Sequence, residues 1–301
     1  METERLDATT ADGRRVAVWR SHGAYAAGPV ILLAPGFCRT MRHMGAVALT
    51  LVQNGAVVYR FDPIDHIGLS EGDVRNFTLT GVAASFDAVV DLAVAREPVD
   101  QVVILAVSLP ARPAIRVASR TAKVTRLVLL AAVVDVRHTL EAALGKDYAS
   151  WARTDLPAEV AFERHLIDPR PLWDDAYANQ WADLDGTIRD LCSVECPVVA
   201  VHATDDEWSR LDDVQHSLDR SAAVGPRDLY QLPFAEHDLG GNLSAMPLVL
   251  RQLTLSALES PTLETGADVV LPELEQVIEL RSEERLRMAG EAGGVLTRSG
   301  S

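Results

Sequence analysis

The stretch Gln-Val-Val-Ile-Leu-Ala-Val-Ser-Leu-Pro-Ala-Arg, Gln101 to Arg112, sets the tightest limit on the fold of this chain. An apolar run of strand length and strand composition stops at Ser108, and a helix-compatible segment begins at once. That is the layout of a strand-to-helix elbow, in which a serine sits in a strained turn with its hydroxyl clear of the sheet. Small residues two places before and after the serine normally permit such a turn. Here those places hold Ala106 and Pro110, so the Gly-x-Ser-x-Gly pattern is absent and the case rests on the rest of the chain.

Other buried strands flank this one. Residues 14–20 alternate as an early strand, 29–34 and 56–61 read as fully apolar strands, and 124–134 follows the elbow helix 109–119. Between them, residues 41–54 read as a helix closed by Asn54-Gly55, and 78–95 as a second helix. Buried strands alternating with helices predict an α/β fold, a mostly parallel, doubly wound sheet covered on both faces.

The pattern changes from about 136 to 190, where apolar strand-like runs disappear and Trp151, Trp173 and Trp181 appear. This segment reads as a mostly helical cap inserted after the strand ending near residue 134. Its tryptophans are expected to line an apolar substrate channel over the strand ends. Sheet patterning returns at 197–202 and 228–232, with helices at 211–222 and 243–258. The core therefore comprises 1–135 and 191–258. From residue 259 an acidic tail follows, in which 272–288 could form an amphipathic helix and the last ten residues read as disordered.

Bulk properties narrow the function classes. The first residues carry no basic segment followed by an apolar one, and the longest apolar run, Leu127 to Val134, is far short of the about 18 residues of a membrane span. Three cysteines form no disulfide framework or zinc pattern, which points to reduced thiols in a cytoplasmic protein. A formal charge of −15 argues against nucleic-acid binding.

A serine that attacks carbonyls needs an imidazole to take its proton and a carboxylate to orient that imidazole. Both types occur at later strand ends, in the order serine, acid, histidine expected of this fold. The strand ending at His202 runs into Ala203-Thr204-Asp205-Asp206-Glu207, and the one ending at Leu232 into Pro233-Phe234-Ala235-Glu236-His237. Asp206 is favoured because His-Gly-x-x-Asp endings place the acid fifth, which leaves Asp205 as a turn residue. Oxyanion donors are expected from the amides of Leu109, after the nucleophile, and Phe37, in the Pro35-Gly36-Phe37 loop. Cys38 reads as packing.

His66 is a rival base, but its loop, Asp62-x-x-x-His66-x-Gly68-x-Ser70, resembles an α/β-hydrolase loop in which the histidine is structural. His43 and His202 are read as structural too. Arg112, Arg116 and Arg120 share one helix face, which could meet an acidic partner but reads better as a solvated face paired with local carboxylates.

Taken together, these residues resemble one family, the acyltransferase of bacterial luminescence systems, a fatty-acyl carrier-protein thioesterase of α/β-hydrolase fold. The matching stretches are Gly36-Phe37 with Met41 and His43, Phe61-Asp62 through Ser70, and Ser108-Leu109-x-Ala111-Arg112. Further on they are Thr139-Leu140-Glu141 with Ala143-Leu144-Gly145, Asp147-Tyr148, Asp206-x-Trp208, His237 to Gly240, Asn242-Leu243, and Glu283-Glu284-Arg285 with Arg287. The resemblance implies a Ser108-Asp206-His237 triad and an acyl-serine intermediate released to water or another acceptor. The chain departs from the family at Val107, Pro110 and Cys38.

The expected activity is that of a serine-dependent hydrolase or acyltransferase acting on acyl carrier protein or acyl-CoA thioesters, with no metal or organic cofactor. A specialised acyltransferase, a cyclising thioesterase, a carboxylesterase and a non-catalytic ligand-binding protein on the same fold are the alternatives.

Overall fold

The computed structural model describes residues 1–301 except 26, 234, 238–244, 259–268 and 299–301. Eight of the described strands form one sheet. They are β1 (Glu2–Thr9), β2 (Arg15–His22), β3 (Val30–Ala34), β4 (Val57–Phe61), β5 (Val102–Val107), β6 (Val124–Leu130), β9 (Val198–Ala203) and β10 (Arg227–Leu232). Their spatial order is β1-β2-β4-β3-β5-β6-β9-β10. The β1–β2 and β2–β4 pairs are antiparallel and the rest parallel. The α/β-hydrolase fold expected from the sequence is the fold observed. β1, which no apolar run announces, pairs residue for residue with β2 from Glu2–His22 to Thr9–Arg15.

Burial of both faces explains why β3, β4 and β5 read as continuous apolar runs instead of alternating ones. Ile31 and Leu33 point to one face, where α1 (Gly45–Gln53) supplies Leu51 and Val52, and α8 (Met246–Leu258) supplies Val249 and Leu253. Val30, Leu32 and Ala34 point to the other, against α2 (Leu79–Arg96), α3 (Ala111–Ala118) and α7 (Leu211–Ser221). The expected helix 243–258 is thus seen from Met246, while 243 and 244 lie outside the described residues.

The segment after β6 holds α4 (Val136–Leu144), α5 (Pro169–Asn179) and α6 (Leu184–Leu191). It also holds a hairpin that the sequence reading lacked, β7 (Val160–Phe162) with β8 (His165–Ile167). Three-residue strands are too short to show a period of two, so no pattern marks them. α6 packs on α3 and α7, beside the sheet layer.

The C-terminal tail carries the helix expected at 272–288, and that helix runs on into the last ten residues, where disorder is expected from the sequence. α9 runs Leu274–Arg298, packs on α1, and places Glu284 in a 2.7 Å ion pair with Arg60 of β4. Both side chains are buried, at 0% and 2% exposure. Residues 259–268 and 299–301 of the tail lie outside the described residues.

Candidate active site

The sheet order fixes where a site can form. β4 lies on one side of β3 and β5 on the other, so the chain reverses direction of winding between β3 and β5. Such a switch point opens a crevice at the carboxyl ends of the strands. The loop Pro35-Gly36-Phe37 leaves β3 there, and Ser108 leaves β5 beside it.

Ser108 occupies a left-handed conformation with φ of 60°, rare for a non-glycine residue. The strain is held by three backbone bonds. The Ser108 amide donates to the Leu130 carbonyl at 2.8 Å, and its own carbonyl accepts from Ala111 at 3.0 Å and Val133 at 3.3 Å. Pro110 sits at the N-cap of α3, where its missing N–H costs no helix hydrogen bond, so the turn forms without a glycine at that place.

Three side chains from three strand ends meet here. Ser108 Oγ lies 2.7 Å from His237 Nε2, and His237 Nδ1 lies 2.7 Å from Asp206 Oδ2. An ionised carboxylate can only accept, so Nδ1 carries the ring proton and Nε2 is left to accept the serine hydroxyl. The other carboxylate oxygen, Asp206 Oδ1, accepts the Trp208 and Ser209 amides, each at 2.9 Å. Asp206 is 8% exposed, so its orientation is fixed from both sides.

Supporting groups lie one layer out. His202 is fully buried, and its Nε2 lies 2.7 Å from the Ser209 carbonyl, which ties the acid loop to β9. Ser209 Oγ donates to the Ala132 carbonyl. Asp205 takes the turn position expected of it, donating its amide to Ala235 at 3.0 Å.

The loop after β3 is held by His66. The Cys38 amide donates to His66 Nε2 at 3.1 Å, which requires the proton on Nδ1, and that nitrogen faces the Ile67 carbonyl at 3.2 Å. Burial pushes the His66 pKa down to about 4, so the ring stays neutral and keeps accepting. Asp62 clamps the same loop by accepting the Met41 amide at 2.7 Å and the Leu69 amide at 2.9 Å. Gly68 lets Asp62 come this close, since a Cβ there would stand 2.1 Å from Asp62 Oδ2. Among the described residues, the Phe37 and Leu109 amides have no hydrogen-bond acceptor, and both residues line the cavity that opens above Ser108. Burial pushes the Cys38 thiol up to about 12, which removes it as a nucleophile. His43 Nδ1 accepts the Thr40 amide at 2.9 Å and has a capping role.

The cavity has a volume of about 110 Å³ and runs between α4, α5 and the β7–β8 hairpin. Phe37, Phe77, Phe162 and Trp208 surround its serine end. Of the three expected channel tryptophans, Trp173 lines it. Trp151 does not; it borders an outer polar cleft, and its carbonyl accepts Trp173 Nε1 at 3.0 Å. Trp181 is a correction. It is 2% exposed and packs under the guanidinium groups of Arg112 and Arg116, 4.9 and 3.8 Å from the ring centroid. Cation–π attraction and its Nε1 bond to Thr80 Oγ1 at 3.2 Å hold it in the core instead.

The same contact corrects the arginine face. Arg112 and Arg116 share Asp190 at 2.7 and 2.8 Å, so the pairing with carboxylates is as expected, but Arg112 is fully buried, not solvated. Arg120 is exposed and pairs with Asp87.

Trp208 is the residue that reading from strand ends did not single out for a role. Its ring lies 4.9 Å from that of His237, and its amide holds Asp206. The apolar face of α4 was also legible, since Val136, Leu140, Ala143 and Leu144 recur at helical spacing.

The model of the acyl transferase family matches residues 8–292 of the chain. An acyl transferase of Vibrio campbellii is 32% identical over 282 residues, covering 92% of each chain. One of Vibrio harveyi is 33% identical over 260 residues, covering 85% of this chain and 84% of its own. Among solved structures, Est1E of Butyrivibrio proteoclasticus bound to ferulic acid superposes with a TM-score of 0.68 at 18% identity, covering 84% of this chain and 98% of its own. A thioesterase domain from the curacin biosynthetic pathway superposes at 0.56 with 16% identity, covering 84% and 99%. Matched along nearly its whole length by the family model, and with relatives at 32% and 33% identity, the chain belongs to the acyl transferase family, enzymes here built on the α/β-hydrolase fold.

Proposed function

We propose that this protein is a serine-dependent acyl-thioester hydrolase and acyltransferase of the cytosol, acting on acyl carrier protein or acyl-CoA thioesters. The observation that carries the reading is the continuous relay of 2.7 Å from Ser108 Oγ to His237 and 2.7 Å on to Asp206. The apolar cavity opening on the serine supports a hydrocarbon acyl group.

In this mechanism Ser108 Oγ attacks the thioester carbonyl while its proton passes to His237 Nε2. Asp206 stabilises the imidazolium and holds its orientation. The carbonyl oxygen, now an oxyanion, receives hydrogen bonds from the Phe37 and Leu109 amides. Collapse breaks the C–S bond, and the departing thiolate takes the proton from His237. The acyl-serine ester is then attacked by water, or by another hydroxyl or amine, which gives its proton to His237. Ser108 leaves with that proton.

Intact mass spectrometry after mixing with acyl carrier protein and CoA thioesters tests the scheme. Wild type gains the acyl mass, Ser108→Ala gains none, and Ser108→Ala turnover falls by about 10⁴-fold or more. Acylation of Ser108→Ala at the wild-type rate would place the nucleophile elsewhere and sink the proposal.

A further inference from the structure

The loop that carries the Phe37 amide depends on contacts beyond itself. Cys38, the next residue, takes a left-handed φ of 57°, a conformation that persists in a non-glycine residue where the surroundings fix it. The turn is closed by the Arg39 amide, which donates to the Gly36 carbonyl at 3.0 Å. Its near end rests on the nucleophile, since a Cβ on Gly36 would stand 3.5 Å from Ser108 Cβ. Its far end is Met41, where the chain enters the helical turn Met41–Met44 that leads into α1. The place of Met41 therefore helps to set where the Phe37 amide points.

Met41 is held at both of its backbone polar atoms. Its amide donates to Asp62 Oδ1 at 2.7 Å, and its carbonyl accepts from Arg60 Nη1 at 3.4 Å. The same Arg60 nitrogen lies 2.7 Å from Glu284 of α9. Asp62 is another carboxylate whose charge acts on Arg60. With Glu284 neutralised, the buried guanidinium would be drawn toward Asp62 and would compete for the oxygens that hold the Met41 and Leu69 amides.

An apolar contact repeats the tie. Ala17, Trp19 and Met41 form a small buried cluster, against which Leu69 and Met288 of α9 pack. Glu284 and Met288 are four residues apart and so share one face of α9. Gly45, at the start of α1, lets that face lie close, since a Cβ there would stand 2.9 Å from Glu284 Oε2. One face of the C-terminal helix thus closes over the anchor of the loop with a carboxylate and a thioether.

We propose that Glu284 is a positioning residue for the oxyanion loop, acting through Arg60 on Met41 and so on the Phe37 amide. The inference rests on the acyl-serine reading, with Phe37 as a donor to the oxyanion. Losing one such donor costs about 100 to 1,000-fold in rate, and a donor displaced but not lost costs part of that, about tenfold. The oxyanion is absent from the bound thioester, so the loss falls on kcat and not on KM.

The experiment measures kcat and KM for an acyl-CoA thioester, with active sites counted by fluorophosphonate titration so that unfolded molecules drop out of kcat. A second readout is the Ki of an alkyl trifluoromethyl ketone, whose adduct with the serine carries an oxyanion. Glu284→Gln, and the double change Arg60→Met with Glu284→Leu, which leaves the Met41 carbonyl without its arginine donor, are compared with wild type. Each should lose about tenfold in kcat per titrated site and bind the ketone about tenfold more weakly, with KM within about threefold of wild type. If Glu284→Gln does not fold, the double variant decides alone. A merely structural role would lower the number of titrated sites and leave kcat per site and the ketone Ki at their wild-type values, which would overturn the inference. So would a loss carried by KM alone. Should wild type turn over no thioester and titrate no better than Ser108→Ala, the acyl-serine reading itself has failed, a result distinct from active variants with unchanged kcat.

Discussion

Breaking the buried Arg60–Glu284 pair should cost far more stability than replacing it whole. The two charges stand 2.7 Å apart with 0% and 2% exposure. At an effective dielectric of about 20, the attraction amounts to about 6 kcal/mol. Against it stands the desolvation of both ions, several kcal/mol each. Burial accordingly pushes the Arg60 pKa down and that of Glu284 up, each toward its neutral form, with the partner's charge opposing the shift. The intact pair is therefore close to neutral for stability, but either ion alone is a buried charge left with weaker partners only, Asp62 for Arg60 and Arg287 and Arg42 for Glu284.

Glu284→Gln keeps the shape and removes one charge, leaving Arg60 with Ser21 Oγ at 3.2 Å, the Met41 carbonyl at 3.4 Å and the face of Trp19. The expected loss is about 3–5 kcal/mol, whereas the double change Arg60→Met with Glu284→Leu should lie within about 1 kcal/mol of wild type. Urea unfolding followed by tryptophan fluorescence measures both, and Trp19, 5.4 Å from the Arg60 guanidinium, lies close enough to report α9 release. A Glu284→Gln loss below about 1 kcal/mol, or a double variant as unstable as the single one, would refute the electrostatic reasoning. Packing of α9 would then be the source of its attachment.

Three further outcomes can be checked. His66 has a folded pKa of about 4 against an unfolded value of about 6.5, so the unfolded chain binds more protons between those values. Stability should therefore drop by up to about 3 kcal/mol as pH falls from 6.5 to 4, and His66→Asn should flatten that part of the stability-versus-pH curve; an unchanged slope would deny His66 the role. Trp181→Leu should lower stability by about 2–4 kcal/mol in urea titrations while leaving the acyl-length profile of turnover as in wild type, because Trp181 packs under Arg112 and not in the cavity. Asp206→Asn should cut thioester turnover by about 10⁴-fold with the fold intact, and a loss of under tenfold would show that His237 is oriented by other groups.

Much of the core was legible because it is built from local signals. The strands β3 to β6 and β9 are largely apolar runs of strand length, and α2 and α7 are helices whose bounds fall within a residue or two of their sequence reading. The three residues of the relay were legible as well, since each follows directly on a strand that composition reveals. β1 and the β7–β8 hairpin were not: β1, Glu-Thr-Glu-Arg-Leu-Asp-Ala-Thr, carries little apolar content, and β7 and β8 are three residues each, too short to show a period. The three tryptophans between α4 and α6 show the same limit. Composition placed them in one segment, but only the packed structure sorted Trp173 to the cavity, Trp151 to the outer cleft and Trp181 to the core.

By itself the sequence determined the doubly wound sheet, the elbow at Ser108 and the order of serine, acid and histidine, because hydrophobic period and chain order are one-dimensional properties. Tertiary structure decided the rest: the 2.7 Å relay, the apolar cavity between α4 and α5, and the burial of Glu284 against Arg60. These are distances between residues far apart in the chain, set by how side chains pack once the sheet and helices are assembled, and no local pattern carries them.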